Sequence, residues 1–164
     1  MKNSFLLYLS ILICSISSLA AKTVDVSTAK TVAVNYFNHQ AEKKAMHFDA
    51  PSFNLVFTEK SITDLPVYYV FNVGHNQGFI IISGDDNALP VLGYSTEVGY
   101  NPAKVNMTFD KWMNSYRMAL LFIIDHNIKA DQKIQATWAN FKSNQFSQTE
   151  STAVPALCTT KWNQ

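Results

Sequence analysis

Two apolar runs separated by a short polar turn constrain this chain more than any other feature. Val67 to Val73 is a run of β-branched and aromatic residues, and Phe79 to Ser83 is a second apolar run. The turn between them, residues 74–78, begins and ends with glycine, which adopts positive φ at no steric cost. Two strands joined by such a loop predict an antiparallel β-hairpin. Four consecutive apolar residues in the second run predict burial on both of its faces.

Two shorter stretches extend the predicted sheet. Phe53, Leu55 and Phe57 alternate with their neighbours as in a half-buried strand. Pro90 to Ser95 predicts a further short strand, because a proline at its start suits an entry or edge position.

The first predicted helix precedes the strands. Val26 to His39 carries one apolar stripe at helical spacing, and Ser27 or Thr28 can cap its start. Residues 38–40 weaken the period and are expected to end the helix.

Two more helices follow the strands. Residues 101–105 are predicted as a loop, after which Asn106 or Thr108 can cap the long helix. A period of 3.6 residues then runs through Phe109, Trp112, Met113, Tyr116, Leu120, Ile123 and Ile124. A shorter helix is predicted from Asp131, with Ile134, Trp138 and Phe141 on one face.

The order of these elements predicts the fold class. A helix, then strands joined by tight turns, then helices indicate an α+β domain. We expect an antiparallel β-sheet of about four strands, packed against an N-terminal helix and one long plus one short C-terminal helix. The helices are expected to cover one face of that sheet.

The amino terminus has the pattern of an export signal. Lys2 precedes a nearly continuous apolar run from Phe5 to Ile16, and small residues at Ser18 and Ala20 favour cleavage before Ala21. The alternative is a retained membrane anchor, but the run is shorter than the roughly 20 residues that span a bilayer. Residues 1–20 are therefore predicted to be a signal peptide, which predicts a secreted or periplasmic protein without a membrane anchor after cleavage.

Composition narrows the classes of partner. The formal net charge is +1, so no basic field is present to recruit nucleic acid. We expect no cofactor, no metal site and no small-molecule substrate. Cleavage before Ala21 leaves Cys158 as the single cysteine, so the core must hold the fold without an internal disulfide.

The sequence offers few combinations of residues that could form a catalytic or metal site. None of the four histidines has metal-ligand spacing to another ligating residue. Asp85 and Asp86 can be a carboxylate pair, but the pattern favours a β-turn in which aspartate bonds to backbone N–H groups. Cys158 can be paired with a histidine as a dyad, but its extended local sequence offers no activating environment.

Three consecutive blocks carry a resemblance to a known family. Residues 67–73, 78–86 and 90–95 read Val-Tyr-Tyr-Val-Phe-Asn-Val, Gly-Phe-Ile-Ile-Ile-Ser-Gly-Asp-Asp and Pro-Val-Leu-Gly-Tyr-Ser. They resemble the prosegment of streptopain-type cysteine proteases and the stand-alone inhibitors similar to that prosegment. The resemblance runs from about Val26 to the end of the chain and implies a domain over residues 21–142.

The end of the chain adds to the resemblance. Residues 143–154 form a predicted polar linker, and residues 155–164 resemble the opening of the mature protease domain, so that the protease domain is predicted to be truncated. Gln164 matches the glutamine that helps form the oxyanion hole in that family. The family's catalytic cysteine and histidine lie beyond this point, and Cys158 precedes the glutamine and does not match the nucleophile. The resemblance therefore implies a chain that is not an enzyme.

In such zymogens the prosegment blocks the cleft of the protease, and the resemblance implies the same role here, in cis as a propeptide or in trans as an inhibitor. The expected contact element is the loop that contains Asn101, Val105 and Asn106, with Asn106 foremost. The alternative for Asn106 is a helix cap alone. Two other functions stay open, a truncated fragment of a secreted protease precursor and an unrelated exported adhesion or structural domain.

Overall fold

The computed structural model describes residues 23–46 and 52–146 of the 164-residue chain. Its elements are α1 (Val26–Lys43), β1 (Phe53–Lys60), β2 (Pro66–Val73), β3 (Gly78–Ser83), β4 (Val91–Ser95), a 3₁₀ turn (Pro102–Lys104), α2 (Met107–Asp125) and α3 (Gln132–Lys142). The prediction of an α+β fold with four strands, one N-terminal helix and two C-terminal helices is confirmed.

The four strands form one antiparallel sheet in the order β1-β2-β3-β4. The predicted hairpin is its centre, with Tyr69 opposite Ile82 and Val73 opposite Gly78. β1 lies at one edge and buries only Phe53 among its eight residues, whereas every residue of β3 is buried. The two central strands therefore form the structural centre of the domain.

Helices cover both faces of this sheet, and the expectation that they cover one face was wrong. α1 and α3 pack on the face that carries Phe71, Ile80 and Ile82. α2 packs on the opposite face, over Val70 and Ile81. The apolar run of β3 is the physical reason, because side chains alternate between faces and each face then needs its own cover.

Two glycines allow close approaches that hold the layers together. A Cβ atom at Gly78 would lie 2.4 Å from the carbonyl oxygen of Ser95 and 3.0 Å from the ring of Phe37. A Cβ atom at Gly84 would lie 2.3 Å from the carbonyl oxygen of Pro66. Each position requires glycine for space, since backbone or a buried ring occupies the site of a side chain.

α1 differs from its prediction at both ends. Asp25, not Ser27 or Thr28, is the N-cap: its Oδ1 accepts from the backbone N–H groups of Ser27 and Thr28 at 2.8 and 2.9 Å. The helix also continues past His39 to Lys43, where Ala41 is buried. Burial of Ala41 and a hydrogen bond from the Tyr94 hydroxyl of β4 to Oε1 of Gln40 at 3.4 Å support the last turns, although the polar residues there weaken the apolar period.

α3 begins after Asp131, as predicted, with the Asp131 carboxylate accepting from the N–H of Ile134 at 2.8 Å. Its Trp138 side chain is buried, and Nε1 donates to the carbonyl oxygen of Ala88 at 2.8 Å. The amide Nδ2 of Asn35 donates to the carbonyl oxygen of Phe141 at 2.8 Å. These bonds fasten α3 to the turn before β4 and to α1.

The cap of α1 makes stability depend on pH in acid. A hydrogen bond from the backbone N–H of Thr28, followed by one from the Ser27 side chain, holds the pKa of Asp25 well below its ordinary value of 3.8. The carboxylate therefore stabilises the fold above pH 3.8, and its contribution is lost as the pH falls below that value. We expect Asp25→Asn to lower the melting temperature at neutral pH and to approach the wild type as the medium becomes strongly acidic. Parallel melting curves for the two proteins over the whole acid range would contradict this assignment.

The indole bond of Trp138 supplies a second test. Trp138→Phe keeps an aromatic ring in the core and leaves the buried carbonyl of Ala88 without its donor. We expect a loss of about 1–3 kcal/mol in the free energy of unfolding, measured by denaturant titration. A loss no greater than that of an exposed surface substitution would show that the bond does not hold α3 in place.

Candidate binding surface

The residues predicted to contact a partner lie together in one exposed connection. Residues 98–107, here called the contact segment, lead from β4 through the 3₁₀ turn to the first residue of α2. Asn101 and Asn106 are exposed and Val105 is half-buried. The structure thus brings the three predicted site residues onto one short stretch.

Both asparagines of the contact segment cap a helical turn. Oδ1 of Asn106 accepts from the N–H of Phe109 at 2.8 Å, so Asn106 is the N-cap of α2, one of the two caps that the sequence offered. Oδ1 of Asn101 accepts from the N–H of Ala103 at 3.0 Å and caps the 3₁₀ turn. The Nδ2 group of each side chain has no hydrogen-bond partner among the described residues. It is therefore available to a carbonyl oxygen of another molecule.

Sequence reasoning missed the residue that fastens the start of the contact segment. Asn72 of β2 is buried, and its Oδ1 accepts from the N–H of Tyr100 at 2.7 Å. Its Nδ2 donates to the carbonyl oxygen of Tyr100 at 3.0 Å and to Oδ1 of Asn76 at 3.3 Å. The sequence carries one sign of this role, because Asn72 is an amide within the otherwise apolar run of β2. A buried polar side chain needs hydrogen-bond partners.

The turn between β2 and β3 holds the same end of the contact segment. The N–H of Gly99 donates to the carbonyl oxygen of Asn76 at 2.9 Å. A Cβ atom at Gly99 would lie 2.8 to 2.9 Å from atoms of Asn76, so the two backbones touch. Asn76 itself has a positive φ of 61°, a conformation that asparagine adopts more readily than most residues.

An apolar groove of about 350 Å³ opens beside the contact segment. The rings of Phe79, Tyr100 and Phe109 line it together with Val98 and Val105. Its rim carries the polar side chains of Asn101, Lys104 and Asn106. Apolar walls with a few polar groups at the rim are typical of a surface that receives part of another molecule.

Two exposed apolar side chains lie at the ends of the contact segment. Val98 is 57% exposed and Met107 is 72% exposed. Val98 also lines the groove, so its exposed apolar area belongs to that surface. Clustered apolar exposure of this kind marks protein interaction sites more often than isolated exposed residues do.

A second cavity, of about 290 Å³, lies between β1 and α2 and shares Tyr100, Val105 and Phe109 with the groove. Charged groups line it: Nε of Arg117 lies 2.5 Å from Oε1 of Glu59, and Asp110 lies at the start of α2. Burial raises the pKa of the Tyr100 hydroxyl, and the carboxylates of Asp110 and Glu59 act in the same direction. The three residues that line both cavities are thus uncharged, and two of them are aromatic.

The other candidate residues have structural roles where they are described. Oδ1 of Asp85 accepts from the backbone N–H and the side-chain amide of Asn87, each at 2.8 Å, which is the predicted turn. His126 caps the end of α2. Within residues 23–46 and 52–146 no group of three His, Cys, Asp or Glu residues is placed to hold a metal ion. Among the helices of these residues, none combines the length and the apolar content of a membrane span.

Several predictions fall on residues outside the described part. The signal peptide at 1–20, the start of a protease domain at 155–164, Cys158 and Gln164 all lie there. Of the predicted linker 143–154, residues 143–146 are described, and Phe146 packs against the rings of Tyr36 and Phe141. These predictions stand as predictions.

Comparisons with known proteins point to one family. A family model described as Spi protease inhibitor matches residues 21–120, more than half of the chain. The thiol protease/hemagglutinin PrtT of Porphyromonas gingivalis is 25% identical over 118 residues, which cover 71% of this chain and 13% of that protein. The chain thus spans about an eighth of the length of this relative. No solved structure matches the chain significantly. The extent of the family match shows that the chain belongs to the Spi protease inhibitor family.

Proposed function

We propose that this protein binds the active-site cleft of a streptopain-type cysteine protease through the contact segment and blocks it. The family is one of protease inhibitors, so a protease is the partner class. The cysteine type rests on the sequence resemblance and on the relative, whose name is that of a thiol protease. Asn106 and Asn101 reach the cleft from the rim of the groove, with Val105 between them.

The observation that carries this proposal is the combination of exposure and restraint in the contact segment. Its polar residues face solvent, while hydrogen bonds from Asn72 at one end and the cap of α2 at the other restrain its backbone. A segment that is ordered before binding loses little conformational entropy when it enters a cleft. Restraint of the backbone before binding favours stable inhibition over weak, short-lived binding.

A second function uses the same surface. The chain can be the amino-terminal part of a protease precursor, and the match to only 13% of the relative favours a prosegment within a longer protein. In that case the contact segment would occupy the cleft of its own protease domain. The predicted linker at 143–154 and the protease-like residues 155–164 are what this alternative requires.

Inhibition of a purified protease tests the proposal directly. We expect the full chain to abolish hydrolysis of a peptide substrate by a streptopain-type cysteine protease at micromolar concentration. A serine protease assayed in parallel should retain its activity, because the fit is to one class of cleft. Full proteolysis by the cysteine protease at that concentration would contradict inhibition in trans.

A pair of substitutions separates the two roles of Asn106. Serine is nearly as good an N-cap as asparagine, whereas alanine is not. We expect Asn106→Ser to keep the melting temperature and to raise the inhibition constant, because it removes the Nδ2 donor from the interface. Asn106→Ala should raise the inhibition constant similarly and also lower the free energy of unfolding by about 1 kcal/mol. Undiminished inhibition by the serine variant would show that Asn106 is only a cap.

A further inference from the structure

We infer that Asn72 is a positioning residue for inhibition, which keeps the contact segment from being cleaved by the protease it blocks. The inference rests on the proposed function. Asn72 lies in β2, does not belong to the contact segment and is 93% buried, since its relative exposure is 7%. It acts through Tyr100 rather than by touching the partner.

The side chain of Asn72 matches the backbone of Tyr100 at both polar atoms. Oδ1 accepts from the N–H at 2.7 Å and Nδ2 donates to the carbonyl oxygen at 3.0 Å. This pair of bonds, here called the Asn72 clamp, mimics the pairing of one residue in a strand ladder. It therefore fixes the two peptide groups on either side of the Tyr100 Cα atom in an otherwise exposed connection.

Neighbouring contacts make the clamp rigid. The Asn72 amide also donates to Oδ1 of Asn76, and the carbonyl oxygen of Asn76 accepts from Gly99. The ring of Tyr100 packs against Phe57, Phe79 and Phe109, with ring centres 6.0 to 6.1 Å apart. Residues 99 and 100 are thus held by backbone, side-chain and aromatic contacts at once.

The opposite end of the segment is fixed independently by the Asn106 cap of α2. Between the two anchors lie residues 101–105, of which 102–104 form the 3₁₀ turn closed by the bond from the N–H of Lys104 to the carbonyl oxygen of Asn101. A protease cleaves a peptide bond only when the segment around it adapts to the catalytic groups. A short segment tied at both ends resists that adaptation and is released uncut.

Loss of the clamp should turn the inhibitor into a substrate. Without Asn72 the partly buried N–H and carbonyl of Tyr100 lose these hydrogen bonds, so the segment opens more often. Cleavage of a transiently opened region follows the population of the open form. The clamp therefore predicts faster cleavage within the contact segment, with little change elsewhere in the molecule.

Limited proteolysis with trypsin tests the clamp without the partner protease. Trypsin cuts after lysine, and Lys104 is exposed in the middle of the contact segment. In the full chain, Asn72→Leu should raise the rate of cleavage after Lys104 by roughly tenfold or more, because both hydrogen bonds to the contact segment are lost together with the bond to Asn76. Lys60, before the turn at the far end of β2, is an internal reference whose cleavage rate should not change.

A second variant and a matched control keep the test decisive. Gly99→Ala retains Asn72 but places a Cβ atom within 2.9 Å of Asn76, so it should loosen the segment even if Asn72→Leu fails to fold. Trp138→Phe removes a hydrogen bond on the opposite face of the sheet and serves as the control for general destabilisation. Cleavage after Lys104 that rises equally in the control would overturn the clamp.

Assays with a streptopain-type protease complete the experiment. The variants at Asn72 and Gly99 should inhibit transiently and yield chains cut within the contact segment, detected by mass spectrometry, whereas the Trp138 variant should inhibit as stably as the wild type. Faster cleavage by trypsin with unaltered, lasting inhibition would overturn the positioning role. If the wild type does not inhibit at all while trypsin still distinguishes the variants, the proposed function fails and the clamp itself stands.

Discussion

Burial of the β2–β3 hairpin on both faces is the constraint on which the rest of this structure depends. β2 and β3 have almost no exposed residue, so neither face of the hairpin can be left to solvent. α1 and α3 cover one face and α2 covers the other. Removing apolar area from water is the dominant favourable term in folding, and two covered faces bury more of it than one. The three-layer arrangement follows from that requirement.

The position of the contact segment follows from the same arrangement. After β4 the chain must leave the edge of the sheet and reach the face on which α2 packs, and residues 96–106 make that crossing. A crossing of this kind lies at the surface, where its backbone would be free to move. Asn72 and Asn106 remove that freedom at the two ends, so that the structure combines an exposed connection with a defined shape.

The proposed inhibition, whether in cis or in trans, would require the same properties of this surface. In both cases an exposed segment must fill a cleft built for an extended substrate, and in both cases it must outlast the protease. Membership of the Spi protease inhibitor family agrees with either arrangement, and the thiol protease relative is long enough to contain such a domain as a small part. The apolar groove that Val98 lines would offer additional area to a partner bound to the segment. Under the proposed function, the groove would contribute to specificity, while the contact segment would block the cleft.

The amino-acid sequence by itself determined the elements and their class. Alternation and turn chemistry identify the hairpin, and the 3.6-residue period identifies α2. Before that period the sequence offered Asn106 and Thr108 as caps, and the structure chose Asn106. Tertiary structure decided how these elements combine: the helices lie on both faces, Asp25 caps α1, and α1 continues to Lys43. It also decided that Asn72 meets Tyr100, 28 positions further along the chain. Periodicity shows which side of an element is apolar, but the partner of that side, and of a single buried amide, depends on which distant segments the packed core brings together.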